Sequence, residues 1–361
     1  MSRIVQLDGL RGLFIILITI NHVNTPLTEF TYQPLGYVSA AEGFVFLSGL
    51  VAGLVYYKRL ARTGLRKVVV GAIQRARTIY IYHLISLFIV CAVGYYSIIH
   101  YHYWTEVLTR FFQTPVQSLV LSLFLLYQPD FLDILPLYCL LLLSLPFLMY
   151  QFRKGNSRWV LAVSIGIWGM SQLGLGLSYK ATKLLASYLP GAELSYMDIF
   201  AWQILFVAGV YLAYRRASGN ELRVPSYMIW PAIAIITVLT LNRFNVLGKT
   251  EDMWWNLIDK HRLGPLRLIN FGALVIVIDF LMRSYRGLFA QSWLVILGKH
   301  SLQVFSLHIV LIFLLLPMVA YYSDNNSIAL LALVGFILVC LYLLAWVRER
   351  KKHVQKVAVL A

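Results

Sequence analysis

Residues 7–23 read LDGLRGLFIILITINHV, and the reading of that run decides the fold. It is apolar enough to cross a bilayer, yet it carries Asp8, Arg11, Asn21 and His22. Ionisable groups at membrane depth are costly and therefore mark functional positions. At about 100° per residue, Arg11 and His22 return to within about 20° of the same helix face. At a rise of about 1.5 Å per residue they stand about 16 Å apart along the axis. One stripe thus holds a cation near one membrane face and an imidazole deep toward the other, with Asp8 about 40° from His22. A satisfied buried histidine and a snorkelling arginine anchor would give the same pattern, so the surroundings have to decide.

Those surroundings are apolar throughout. Of 361 residues 60% are hydrophobic and 13% charged, and the mean hydropathy is +0.73. A chain with so many long apolar runs is an all-α, polytopic integral membrane protein, here a single transmembrane domain over residues 1–361. Continuous apolar runs without period-2 alternation exclude an outer-membrane barrel. The net charge of +16 is the lysine and arginine excess of cytoplasmic loops rather than a nucleic-acid footprint. Cys91, Cys139 and Cys340 lie inside apolar runs without metal spacing and read as small core residues without disulfides. With no metal-spaced His/Cys set, no Walker loop and no serine elbow, no metal and no permanently bound cofactor are expected. No small-residue cleavage site follows the first apolar segment, so it is expected to stay in the membrane.

Topology follows from the basic residues. The second span opens SAAEGFVFLSGLVAGLVYY from Ser39, and its small residues permit close helix approach. The next loop carries Lys58, Arg59, Arg62, Arg66, Lys67, Arg75 and Arg77 with no acid, which places it in the cytoplasm. Residues 104–128 contain Arg110, Gln113, Pro115 and Gln117 before an apolar run too short to span, and read as re-entrant or interfacial. With that segment not crossing, every later basic cluster falls inside. The expectation is ten spans, at 7–25, 38–57, 78–99, 132–150, 158–178, 197–214, 226–242, 265–282, 293–319 and 328–347, with both termini cytoplasmic. Segments 24–37, 100–131, 179–196, 243–264 and 320–327 then face the other side.

Glu42 starts the second span on the same side as His22, and a helix hairpin makes the two natural partners. A histidine made more basic by a carboxylate is a general base for a hydroxyl or thioester centre. Arg11 suits a phosphate-bearing donor entering from the cytoplasm; Arg75 and Arg77 could add to that site or serve only as topology markers. Weaker candidates are Asp133 at the start of the fourth span, Trp202 and Gln203 in MDIFAWQILFVAG, Arg267 in GPLRLINFGAL, and Lys299, His300 and His308 in LGKHSLQVFSLHIVL. His308 is a lone histidine in a very apolar run, for which structural satisfaction is the default.

The segments LDGLRGLFIILITINH, AAEGFVFLSGLVAGLVY, DILPLYCLLLL, AWQILFVAG, LGPLRLINF and LGKHSLQVFSLH, in this order and over nearly the whole chain, resemble the OpgC family. Its members are integral membrane succinyltransferases that modify osmoregulated periplasmic glucans. The Arg-x10-His spacing of the first span also resembles the wider acyltransferase-3 class, which implies His22 as the catalytic histidine and Arg11 as its matching arginine. One departure is Asn21, where the resemblance implies an aspartate; an amide cannot act as a carboxylate partner, which shifts that role to Glu42. The resemblance implies an acyl-CoA co-substrate (succinyl-CoA), a periplasmic glucan or other glycan hydroxyl as acceptor, and the bacterial inner membrane as location. A homodimer is one assembly open to such a chain. The rival reading is a transporter or flippase for an anionic or glycan substrate, lowered by the lack of an inverted repeat.

Overall fold

Helix is the regular structure among the described residues. The structure is a computed structural model, and it describes residues 4–98, 108–173, 176–192, 194–248, 251–323 and 326–360. Helix α1 (Val5–Val23) stops at Asn24, which turns into the left-handed region (φ 53°, ψ 54°), a conformation that asparagine tolerates better than most residues. A loop with the one-turn α2 (Thr28–Thr31) leads to α3 (Ala40–Ile98). Those 59 residues are not one rod, because Gly64 adopts φ 77°, ψ 174°, a backbone region open essentially only to glycine. Gly71 beyond the break faces Arg59 and Tyr56 before it, so the two arms lie side by side there. The expected spans 38–57 and 78–99 fall one on each arm, with the basic cluster around the break; residue 99 lies outside the described residues.

Helices α4 (Thr109–Gln113) and α5 (Pro115–Leu123) occupy the segment read as non-crossing. At 9 residues the longer one reaches about 14 Å, well short of a hydrocarbon core of about 30 Å. Residues 104–107, which begin that segment, lie outside the described residues. There follow α6 (Ile134–Arg153), α7 (Ser157–Ser171), α8 (Leu177–Tyr188), α9 (Ile199–Ala217), α10 (Ile229–Arg243), α11 (Glu251–Ile258) and α12 (Pro265–Ser284). The chain ends in α13 (Ser292–Lys299), α14 (Ser301–Ser323) and α15 (Ser327–Leu360). Local chemistry sets several of these starts. Asp198 caps α9 by accepting from the amides of Phe200 (2.8 Å) and Ala201 (3.4 Å). Pro265 opens α12, where its missing N–H costs nothing.

Five helical stretches among the described residues are long and apolar enough to cross a bilayer: Ala40–Tyr96, Ile134–Arg153, Pro265–Ser284, Ser301–Tyr322 and Ser327–Lys352. The chain is thus a helical membrane protein. Two expected spans are corrected. The helix within 158–178, α7, stops at Ser171 after 15 residues. Residues 293–319 are not one helix but α13 and α14, broken at His300 (φ −107°, ψ 23°). The break is held from α15, whose Glu349 carboxylate takes Lys299 Nζ at 2.7 Å and His300 Nε2 at 3.0 Å.

Small residues set how closely the helices approach. Gly49 of α3 lies against the Phe206 carbonyl of α9, while Gly209 of α9 lies against the Phe46 carbonyl of α3. A Cβ at either position would overlap backbone, so the pair forms a reciprocal contact of the small-residue kind that drives helix association in lipid. Gly9 and Gly12 of α1 play the same part against Phe289 and Leu294, and Gly298 returns the contact at the Asp8 carbonyl. Helix α1 is therefore clamped between α13, α14 and the first arm of α3, which decides where its polar stripe points.

Candidate active site

His22 lies in the last turn of α1, and its half-buried ring lines a cavity of about 310 Å³. The α1 lining consists of Ile18, Asn21 and His22. The rest of the wall comes from the loop after α1 (Tyr32), the start of α3, residues 128–134, residues 196–197, Lys260 and Phe305 of α14. All of these stretches gather at one end of the helix bundle. Three charged side chains, Asp130, Asp133 and Lys260, face this space together with the phenols of Tyr32 and Tyr196.

The walls are tied to one another by side chains. Lys260 Nζ donates to the Tyr32 hydroxyl at 3.2 Å and sits 4.8 Å from the centre of that ring. Asn21 accepts from the Thr31 hydroxyl at 2.7 Å, so the amide that stands where an aspartate was implied fastens the α2 turn to α1. Phe131 holds a left-handed backbone (φ 65°), costly for an aromatic residue, and its ring centre lies 4.3 Å from that of His22. Asp133 precedes α6, with Ser195 Oγ at 3.5 Å from its Oδ2.

The ring of His22 is held from behind. Its Nδ1 lies 2.9 Å from Nε2 of His308, which is wholly buried on α14. Nδ1 of His308 is 3.1 Å from Thr19 Oγ1, and that hydroxyl donates to the Ile15 carbonyl at 2.8 Å. The His308 position, read from sequence as structural or substrate-binding, is thus adjacent to the histidine it was separated from by most of the chain.

The expected His22–Glu42 pair is corrected. Glu42 Oε1 takes Arg267 Nη1 at 2.6 Å, and Oε2 accepts from the backbone amide (3.0 Å) and hydroxyl (2.5 Å) of Ser39. Ser39-Ala40-Ala41-Glu42 is a capping box, whose carboxylate returns to the amide that opens the helix. In a low dielectric a carboxylate is stabilised far more by a permanent guanidinium than by a neutral imidazole. Arg267 completes its bonding at the Ile258 carbonyl, 3.0 Å away. It therefore locks α12 to α3 and faces no substrate space. Asn270, one turn on, accepts from the Tyr37 amide at 2.8 Å, next to Gly36 in the left-handed region (φ 88°), where a side chain would collide with Asn270.

The other candidates disperse. Trp202 is fully buried, and its Nε1 donates to the carbonyls of Lys260 (3.2 Å) and His261 (3.1 Å); it anchors the loop that carries Lys260 without lining the cavity. Gln203 exchanges hydrogen bonds with Ser164 of α7 (2.7 and 2.8 Å) and joins two helices. Arg11 is buried, with its guanidinium 5.4 Å from the centre of the Phe44 ring, and Asp8 is buried one turn below it. Neither lines the cavity, whose α1 wall consists of Ile18, Asn21 and His22 at the other end of that helix. Arg75 is half-exposed and Arg77 exposed on the second arm of α3. Lys260, Tyr32 and Thr19 were missed by sequence reasoning. Thr19 had a signal, since three residues before His22 is the same helix face, whereas Lys260 is one charge among several in a polar linker.

The sequence pattern of a family described as OpgC protein matches residues 3–353. No curated protein and no solved structure matches the chain.

Proposed function

Because the chain belongs to the OpgC family, we propose that it is an inner-membrane O-acyltransferase that esterifies hydroxyls of a periplasmic glucan from a cytoplasmic acyl-CoA, with a succinyl donor. In this reading the chain crosses the bilayer ten times with both termini in the cytoplasm, and the cavity opens to the periplasm. The observation that carries the proposal is His22: a ring fixed on one side by His308 and on the other lining a cavity that also holds Asp130, Asp133, Lys260 and two phenols. Residues on its wall suit a sugar. Asp133 can accept from hydroxyls, Lys260 can donate to them, and Tyr32 and Tyr196 offer aromatic faces. At about 310 Å³ the space fits one end of a glycan rather than a polymer.

His22 acts as general base. It takes the proton of the acceptor hydroxyl as the oxygen attacks the thioester carbonyl. The carbon–sulfur bond breaks, the ester forms, and the same proton passes to the departing thiolate. Arg11, about 16 Å away along α1, meets the phosphates of the coenzyme, with Asp8 beside it and Arg75 and Arg77 drawing the donor in from the cytoplasm. Glu42, Arg267, Trp202 and Gln203 hold the frame of the site.

The test is purified protein in vesicles, supplied with labelled succinyl-CoA and a glucan. Label should appear on the glucan, and His22→Ala should abolish transfer while the protein still inserts. Full transfer by that variant refutes the role of His22. Movement of intact glucan without acylation would instead establish the carrier reading.

A further inference from the structure

We propose that Thr19 and His308 are positioning residues that hold His22 as the tautomer protonated on Nδ1, leaving Nε2 as the base that faces the cavity. The use of that base rests on the acyltransferase reading above; the tautomer itself does not.

The order of donors follows from the one group in the line that cannot donate. The Ile15 carbonyl is an acceptor only, and Thr19 Oγ1 lies 2.8 Å from it. Without a proton between them, two sets of lone pairs would face each other at that distance in a buried site. The threonine proton is therefore committed to Ile15, and toward His308 the hydroxyl presents a lone pair. His308 Nδ1, 3.1 Å away, must then carry hydrogen. A neutral imidazole has one N–H, so Nε2 of His308 is an acceptor. It lies 2.9 Å from His22 Nδ1, which must in turn donate. The remaining lone pair of His22 is on Nε2, for which no protein partner occurs among the described residues, and the ring borders the cavity.

The order matters because the reverse one would spoil the site. With hydrogen on His308 Nε2, His22 would accept at Nδ1 and present Nε2–H to the substrate, a donor where a base is needed. No carboxylate is hydrogen-bonded to either ring among the described residues, so His22 is oriented by a neutral partner rather than by the acid of a His–Asp pair. The device costs little to maintain. Thr19 and His22 share one face of α1, and α14 supplies the single ring between them.

The deciding experiment is nitrogen-15 NMR of histidine-labelled protein in nanodiscs, with the two rings assigned by His22→Gln and His308→Gln. The wild type should show His22 protonated on Nδ1 with an unprotonated Nε2. Thr19→Val, close in shape but without the hydroxyl, should turn the His22 signals into a mixture of tautomers. Acyl transfer should then lose about ten-fold in kcat at unchanged KM, in proportion to the competent fraction. Thr19→Ser should restore both. His22 protonated on Nε2 in the wild type, or a Thr19→Val spectrum identical to wild type, overturns the inference. If the wild type transfers no acyl group, the spectra still decide the tautomer, and only the catalytic reading falls.

Discussion

Glu42 and Arg267, 225 residues apart in the chain, meet at 2.6 Å with side chains 0% and 4% exposed. A sequence reading that looks for the partner of a membrane-depth carboxylate finds the nearest titratable ring, His22. The fold gives the carboxylate to a fixed cation instead, and so separates the frame of the site from its chemistry.

That separation is measurable. Removing either charge leaves the other buried and unpaired, so Glu42→Gln or Arg267→Met should each cost about 3–5 kcal/mol of stability. Glu42→Gln combined with Arg267→Met should cost less than the sum of the two. Denaturant unfolding in detergent, run as a double-mutant cycle, checks this; additive losses would show the pair to be uncoupled.

Gly64 should resist substitution although it has open space. Nothing lies within 4 Å of a Cβ built there, yet its φ is 77°. Gly64→Ala should therefore destabilise by about 1–3 kcal/mol through backbone strain alone, read as a fall in melting temperature. An unchanged value would mean that the break between the α3 arms does not need this conformation.

Trp202 should affect the site without touching it. Trp202→Phe keeps the buried bulk but removes the N–H that the carbonyls of Lys260 and His261 accept at 3.2 and 3.1 Å, leaving them only the backbone amides of Leu263 and Asp198. The loop carrying Lys260 should loosen. Acceptor KM should rise several-fold with kcat retained, alongside a stability loss of about 0.5–1.5 kcal/mol. A fall in kcat alone would assign Trp202 to the chemistry instead.

His261, in the loop between α11 and α12, lies beside Tyr196 with ring centres 5.3 Å apart and planes tilted by 56°. Burial pushes its ring below the ordinary value of 6.5. The folded protein then holds the neutral ring while the unfolded chain protonates first. Stability from this group is complete above pH 6.5 and is lost as the pH falls toward the depressed value. Unfolding measured from pH 7.5 to pH 5 should show a steeper loss in wild type than in His261→Gln; parallel curves would exclude His261 as the source.

The sequence by itself determined the helical membrane class, the shared face of Arg11 and His22 and the small-residue stripe of the first α3 arm. Each of these is a local property, because a helix repeats every 3.6 residues or so and its length in apolar residues sets what it can cross. The Ser39–Glu42 capping box is just as local, although the sequence reading gave that carboxylate to His22 instead. What only the tertiary structure decided is which polar groups face one another. His308 comes to His22 from 286 residues away, Arg267 takes Glu42, Lys260 enters the cavity from a linker, and His300 breaks what reads as one continuous span. These outcomes depend on how far each helix is rotated and how closely it packs. Backbone contacts at Gly9, Gly12, Gly49, Gly209 and Gly298 set both, and no periodicity along one strand of sequence encodes the partner on another.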